Sequence, residues 1–102
     1  MDTETVILTE SYLLKPCRGD KSYTLKVKGQ RISGNDIVRA LLTSSEYKLV
    51  AQTKVLSILE LEGTLISVHF RGDMLLRQVP SREHADAVAA KIMKIVNSAN
   101  RG

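Results

Sequence analysis

The sequence predicts an α+β domain, a two-layer sandwich in which an antiparallel sheet carries two helices on one face, in the order β-β-α-β-β-β-α. Three observations lead there. Ser22 to Lys28 alternates, with Tyr23, Leu25 and Val27 set against Thr24, Lys26 and Lys28, the period of a strand with one buried face. Between Lys54 and Val79 lie three further extended runs, divided by Glu62-Gly63 and by Arg71-Gly72-Asp73, both ordinary turn chemistry. Ala85, Val88, Ala89, Ile92, Met93, Val96 and Ala99 then recur at intervals of three and four, one apolar stripe along a helix. Hairpins and helices that each own one apolar face settle as a layer of helices on a layer of sheet.

In chain order, Glu4 to Lys15 reads as a first strand, with Val6, Leu8, Tyr12 and Leu14 alternating with less apolar neighbours. Pro16-Cys17-Arg18-Gly19-Asp20 is a turn cluster. The alternating strand follows and ends at Gly29. Ser33-Gly34-Asn35-Asp36 starts a short helix whose apolar face is Ile37, Val38, Leu41 and Leu42. Thr43-Ser44-Ser45 ends it, because small hydroxyl residues favour caps and turns over helix interior. Glu46 to Gln52 shows no decisive period. Lys54 to Glu62 is a strand with Val55, Leu59 and Leu61 on one face and Glu60 and Glu62 on the other. Leu56 and Ile58 make its second face partly apolar as well, as a central strand requires. Thr64 to Phe70 and Met74 to Val79 form the last hairpin. Pro80-Ser81 breaks the extended pattern, and Ser81 is placed to cap a helix running from Arg82 to about Ser98. His84 replaces the Glu that would complete a capping box.

Composition narrows the class of protein. At 102 residues, with 43% hydrophobic and 25% charged residues, residues 1–102 make one globular domain able to bury a core without metal or disulfide. The acidic start Met1-Asp2-Thr3-Glu4 lacks the basic region of a signal peptide. No apolar run approaches the ~18 residues of a membrane span. A single cysteine excludes an internal disulfide, and together these features predict a cytoplasmic protein without membrane attachment. The net charge of +4 points toward a polyanionic partner.

Chemical motifs are sparse. No phosphate-binding glycine loop, dinucleotide fingerprint, nucleophile elbow or paired zinc-ligand motif occurs. No catalytic residue, metal or cofactor is therefore assigned. Cys17, between Lys15 and Arg18, is the one nucleophile with cationic neighbours, and His69 or His84 would have to reach it to serve as a base. The triplets Arg18-Gly19-Asp20 and Arg71-Gly72-Asp73 fall where turns are expected anyway, and need no adhesion role. More informative is the basic stretch. Lys15, Arg18, Lys21, Lys26, Lys28 and Arg31 face only Asp20 between positions 15 and 31, a surface suited to phosphate. Lysines on an exposed strand also serve simply to keep a sheet from aggregating.

The run from Leu65 to Val96 resembles the second half of a TATA-binding-protein repeat. A strand ends in Phe70, a Gly turn follows, and the next strand leads through a Ser-capped start into an Ala-rich helix. The resemblance covers about a third of the chain. It implies a curved sheet that binds the DNA minor groove, with Phe side chains wedged between base steps; Phe70 is the position that would carry that role. The turn after Phe70 is one residue shorter than in that family, a second Phe is lacking, and a single repeat-length unit is present.

Two functions from different classes follow. The first is nucleic-acid binding through the basic hairpin and the open sheet face, with Lys26, Lys28, Arg31 and Arg77 on phosphates and Phe70 as the aromatic contact. The alternative is a protein-interaction module or homodimer that uses an apolar sheet face built from Leu56, Ile58, Leu65, Met74 and Leu76. A chemical role for Cys17 with a histidine is the minority reading.

Overall fold

The computed structural model describes residues 7–8, 12–17, 21–28 and 32–100. The N-terminal four residues, Val6, the Arg18-Gly19-Asp20 triplet, Gly29 and Arg31 lie outside the described residues. Among the described residues seven strands and two helices follow one another: β1 (Ile7–Leu8), β2 (Tyr12–Pro16), β3 (Tyr23–Val27), α1 (Gly34–Leu41), β4 (Lys48–Gln52), β5 (Leu56–Leu61), β6 (Thr64–His69), β7 (Met74–Arg77) and α2 (Arg82–Asn100). All strands join one antiparallel sheet in the order β1-β2-β3-β7-β6-β5-β4. The α+β two-layer architecture is as expected from the sequence. Two strands exceed the expectation. The run from Glu4 to Lys15 is not one strand but contributes β1 and β2, paired through Ile7–Leu14 and Leu8–Leu13. The undecided run from Glu46 to Gln52 supplies β4 at the far edge.

Alternation assigns the faces. Leu14, Leu25, Leu59, Leu61, Ile66, Val68, Met74 and Leu76 are buried on one side of the sheet. Against them pack Ile37, Val38, Ala40 and Leu41 of α1 and Ala85, Val88, Ala89, Ile92, Met93 and Val96 of α2. The helices thus share one face: α1 lies over β5 and β6, α2 over β2 and β3, and the two touch each other. Leu42 and Ala99, expected on the helical stripes, are exposed. Leu42 is the C-cap of α1, and Ala40 takes its place in the core.

Local chemistry closes each element. Ser33 Oγ accepts from the Asp36 N–H at 3.2 Å and Ser81 Oγ from the His84 N–H at 3.1 Å, so each hydroxyl satisfies a free amide of a first helical turn. Between β5 and β6, Glu62 (φ 49°) and Gly63 (φ 88°) are both left-handed, the two-residue hairpin turn whose twist matches the strands. Gln78 (φ 62°) ends β7 short of the expected Val79. Val79 turns into the core instead, its N–H donating to the Lys21 carbonyl at 3.1 Å. The β5 strand also starts later than expected. Thr53 Oγ1 accepts from the Val55 and Leu56 N–H groups, placing Val55 in the β4–β5 turn, where it is exposed rather than part of the inner face.

The edge strand β4 is exposed at every position, with Leu49 and Val50 open to solvent. Its register shifts between Leu49 and Ala51. A bulge and a lysine at an edge are common devices against strand-to-strand aggregation.

Candidate functional site

The second sheet face carries neither helix. Its residues follow from the register. Lys15, Thr24, Leu75, Ser67, Ile58 and Ala51 form one row from β2 to β4. Arg77, Leu65, Glu60 and Lys48 form a second, and Leu56 lies opposite His69 in a third. Leu56, Ile58, Leu65 and Leu75 are half-buried on this face, and Ser67, paired with both Ile58 and Leu75, is almost covered. The floor is therefore apolar. Lys15, Lys26, Lys48 and Arg77 are exposed around it. Glu60 stands directly across from Lys48, where opposite charges are mutually favourable. Two ion pairs of the molecule, Arg39–Asp36 and Lys91–Glu46, lie away from this face.

A depression of about 520 Å³ runs over the centre of this surface, reaching from Thr24 and Leu75 to Arg77 at one end and to His69, Arg71 and Asp73 at the other. The structure thus brings Lys26 and Arg77 to one side of the sheet, as the alternation of their strands implied. Lys28 follows β3 and is exposed. Arg31 lies outside the described residues. Phe70 goes elsewhere. It leaves β6 just past the last paired residue, and its ring, 45% exposed, lines a separate concavity of about 510 Å³ at the end of the sheet.

The apolar face proposed for protein association needs one correction. Met74 and Leu76 do not join Leu56, Ile58 and Leu65, because Ile66 pairs with Leu76 and Val68 with Met74. Both are core residues, 2% and 0% exposed. Leu75 occupies the outward position instead.

Cys17 is half-buried, with its Sγ 3.5 Å from Thr24 Oγ1. Neither histidine serves it. His69 Nδ1 accepts from the Arg71 N–H at 3.3 Å, and His84 Nε2 lies 3.3 Å from Thr64 Oγ1 on the helix side. Among the described residues no three histidine, cysteine or carboxylate side chains converge as metal ligands, and no helix is long and apolar enough to cross a membrane.

Two tyrosines are pushed up to about 12. Burial is the main cause for Tyr12, reinforced by its hydrogen bond to Asp86 and that carboxylate's charge; for Tyr47 burial again leads, with Glu46 and Glu62 adding negative charge. Both belong to the core and not to the open face.

Lys15 was visible in the sequence as part of a basic stretch, but its alignment with Thr24 and Leu75 is a property of register. Lys48 was missed because its strand has no buried face to give a period. Comparison of the chain with protein-family models, with curated proteins and with solved structures returned no match.

Proposed function

We propose that this protein is a nucleic-acid-binding domain that uses its open sheet face. The observation that carries the reading is the composition of that face: an apolar floor of Leu56, Ile58, Leu65 and Leu75, bordered by five cations, Lys15, Lys26, Lys48, Arg71 and Arg77, against two acids, Glu60 and Asp73. Lysine and arginine side chains around such a floor suit a polyanion, since they neutralise phosphates while the floor accepts sugar or base surface. The sequence of residues 65–96 resembles half of a TATA-binding-protein repeat, and that resemblance favours the same reading. A single cysteine favours a reducing, cytoplasmic setting.

The test is fluorescence anisotropy with labelled mixed-sequence oligonucleotides, single- and double-stranded, across a salt series. Affinity is expected to fall steeply with salt. The Lys26→Gln/Arg77→Gln double variant is expected to lower the log–log salt slope by roughly 1.4 for a single strand and roughly 1.8 for a duplex, two phosphate contacts at ~0.7 or ~0.9 each. Absence of binding at low salt, or a slope untouched by the double variant, overturns the proposal.

A further inference from the structure

The turn between β6 and β7 holds an exposed aromatic ring on a backbone fixed from several sides. The Phe70 N–H donates to the Val55 carbonyl at 3.0 Å, and the Phe70 carbonyl accepts from the Gly34 N–H at 2.8 Å. Beside it, the His69 N–H donates to the Asp73 carbonyl and the Gly72 N–H to the His69 carbonyl, each at 2.8 Å. Two glycines permit this closeness. A Cβ on Gly34 would overlap the His69 carbonyl oxygen and crowd Phe70 Cα, and a Cβ on Gly72 would stand 2.5 Å from the Ile32 carbonyl oxygen.

A scattered exposed apolar side chain is unremarkable in a folded protein. This one is different in its surroundings. The His69 ring lies 4.6 Å away, centroid to centroid, and the Arg71 guanidinium carbon is 5.6 Å from the Phe70 centroid. The ring opens on the 510 Å³ concavity, whose walls include the apolar side chains of Val27 and Ile32. Arg71 and Asp73 border both this concavity and the depression across the open sheet face, so the turn is the border the two share.

We propose that this concavity is a base-stacking subsite for single-stranded nucleic acid, in which Phe70 receives one unpaired base while the backbone continues across the sheet past Lys26 and Arg77. The proposal rests on the nucleic-acid reading of that face and adds the class of ligand. The position of the ring decides for a single strand. A duplex lying on the sheet keeps its bases paired and stacked above the floor, whereas a ring at the sheet's end is reached only by a base turned out of its stack. Arg71, beside the ring and on the path between the two concavities, is placed to hold the adjoining phosphate. Every base has a flat π-face, so the subsite carries little sequence preference.

The experiment measures anisotropy of labelled 12-mers: oligo(dT), oligo(rU), an abasic strand of the same length, and a mixed duplex. Wild type is compared with Phe70→Ala, Phe70→Tyr and Lys26→Gln/Arg77→Gln, each first shown to be folded by circular dichroism. Phe70→Ala is expected to weaken oligo(dT) or oligo(rU) about tenfold, the loss of one stacked base. Phe70→Tyr should restore it, and the abasic strand should bind wild type and Phe70→Ala alike. Equal binding of the thymine strand by wild type and Phe70→Ala, or tighter binding of the duplex, overturns the subsite. If the Lys26/Arg77 variant still loses affinity in that case, the open-face reading survives. If no strand binds even at low salt, both fall.

Discussion

Two buried tyrosines offer a matched test of how this core treats a hydroxyl. Tyr12 and Tyr47 are 7% and 4% exposed. The Tyr12 hydroxyl donates to Asp86 Oδ1 at 2.7 Å, whereas the Tyr47 hydroxyl is buried without a hydrogen-bond partner among the described residues. Substitution by Phe removes the same atom in both places with opposite consequences. At position 12 it deletes a bond to a charged acceptor, worth about 1.5–3 kcal/mol where the acceptor is dry. Asp86 is only half-buried and water can replace the lost donor, so about 1 kcal/mol is expected. At position 47 the change relieves an unmet desolvation cost of about 1–3 kcal/mol, part of which the ring loses again in packing. A net gain of about 0.5–1 kcal/mol results. The two variants should therefore differ by about 2 kcal/mol in urea unfolding at pH 7. For a domain of this size each kcal/mol corresponds to a shift of roughly 4–8 °C in Tm.

The pH dependence carries the same logic. A tyrosine raised from 10.0 to about 12 keeps its proton in the folded chain at a pH where the unfolded chain has lost it. Its contribution is complete below pH 10 and disappears as pH climbs through 12, at most about 2.7 kcal/mol for a shift of two units. Each Phe variant should flatten that alkaline limb relative to wild type. If Tyr47→Phe destabilises by more than about 1 kcal/mol, the hydroxyl has a partner and the reasoning fails.

Three further outcomes can be checked in the same assays. Gly63→Ala changes a residue at φ 88° with nothing within 4 Å of the new methyl, so only the left-handed backbone is penalised, by about 1 kcal/mol. Gly34→Ala drives its methyl into the His69 carbonyl and should cost more, about 2–3 kcal/mol by urea midpoint; equal losses at the two positions would show that the helix start yields freely. Ser81→Ala deletes the acceptor for the His84 N–H and should cost about 1 kcal/mol, which an unchanged midpoint would contradict.

What the sequence disclosed was whatever had a buried face. The α2 stripe, the β3 alternation, the helix start at Ser33-Gly34-Asn35-Asp36 and the cap at Ser81 were readable because burial imposes a period and a free amide imposes a residue type. Strand β4 was not, since it is held by backbone pairing to β5 with no side chain in the core. The outward face of β6 and β7 was ambiguous for the opposite reason. Leu65 and Leu75 are as apolar as Ile66 and Leu76, so either alternation could have been the core. Only the pairing of Leu25 with Met74 and of Ile66 with Leu76 decides it. Phe70 shows a third limit. Its parity along the strand places it with Ile66 and Val68, but the strand ends at His69, one residue before parity could bury it.

Charge separates the proposed function from self-association on the same face. An apolar floor of this kind could in principle be covered by a second copy across a two-fold axis. A symmetric interface brings the same patch of each copy together, so Lys15, Lys26, Lys48, Arg71 and Arg77 of both copies would enter one interface. Against these five, Glu60 and Asp73 are acids of the same surface, and Glu60 is already opposite Lys48 within its own sheet, so the paired patch keeps an excess of positive charge. Like charges opposed at an interface are a penalty that such surfaces ordinarily avoid. A polyanion meets the same ring of cations with attraction. Lys26→Gln/Arg77→Gln therefore moves the two readings in opposite directions. It removes repulsion and should strengthen a face-to-face dimer, whereas it removes phosphate contacts and should weaken nucleic-acid binding. Light scattering of the variant beside its anisotropy titration reads both at once, and a variant that dimerises more readily than wild type while binding oligonucleotide unchanged would assign this face to protein association.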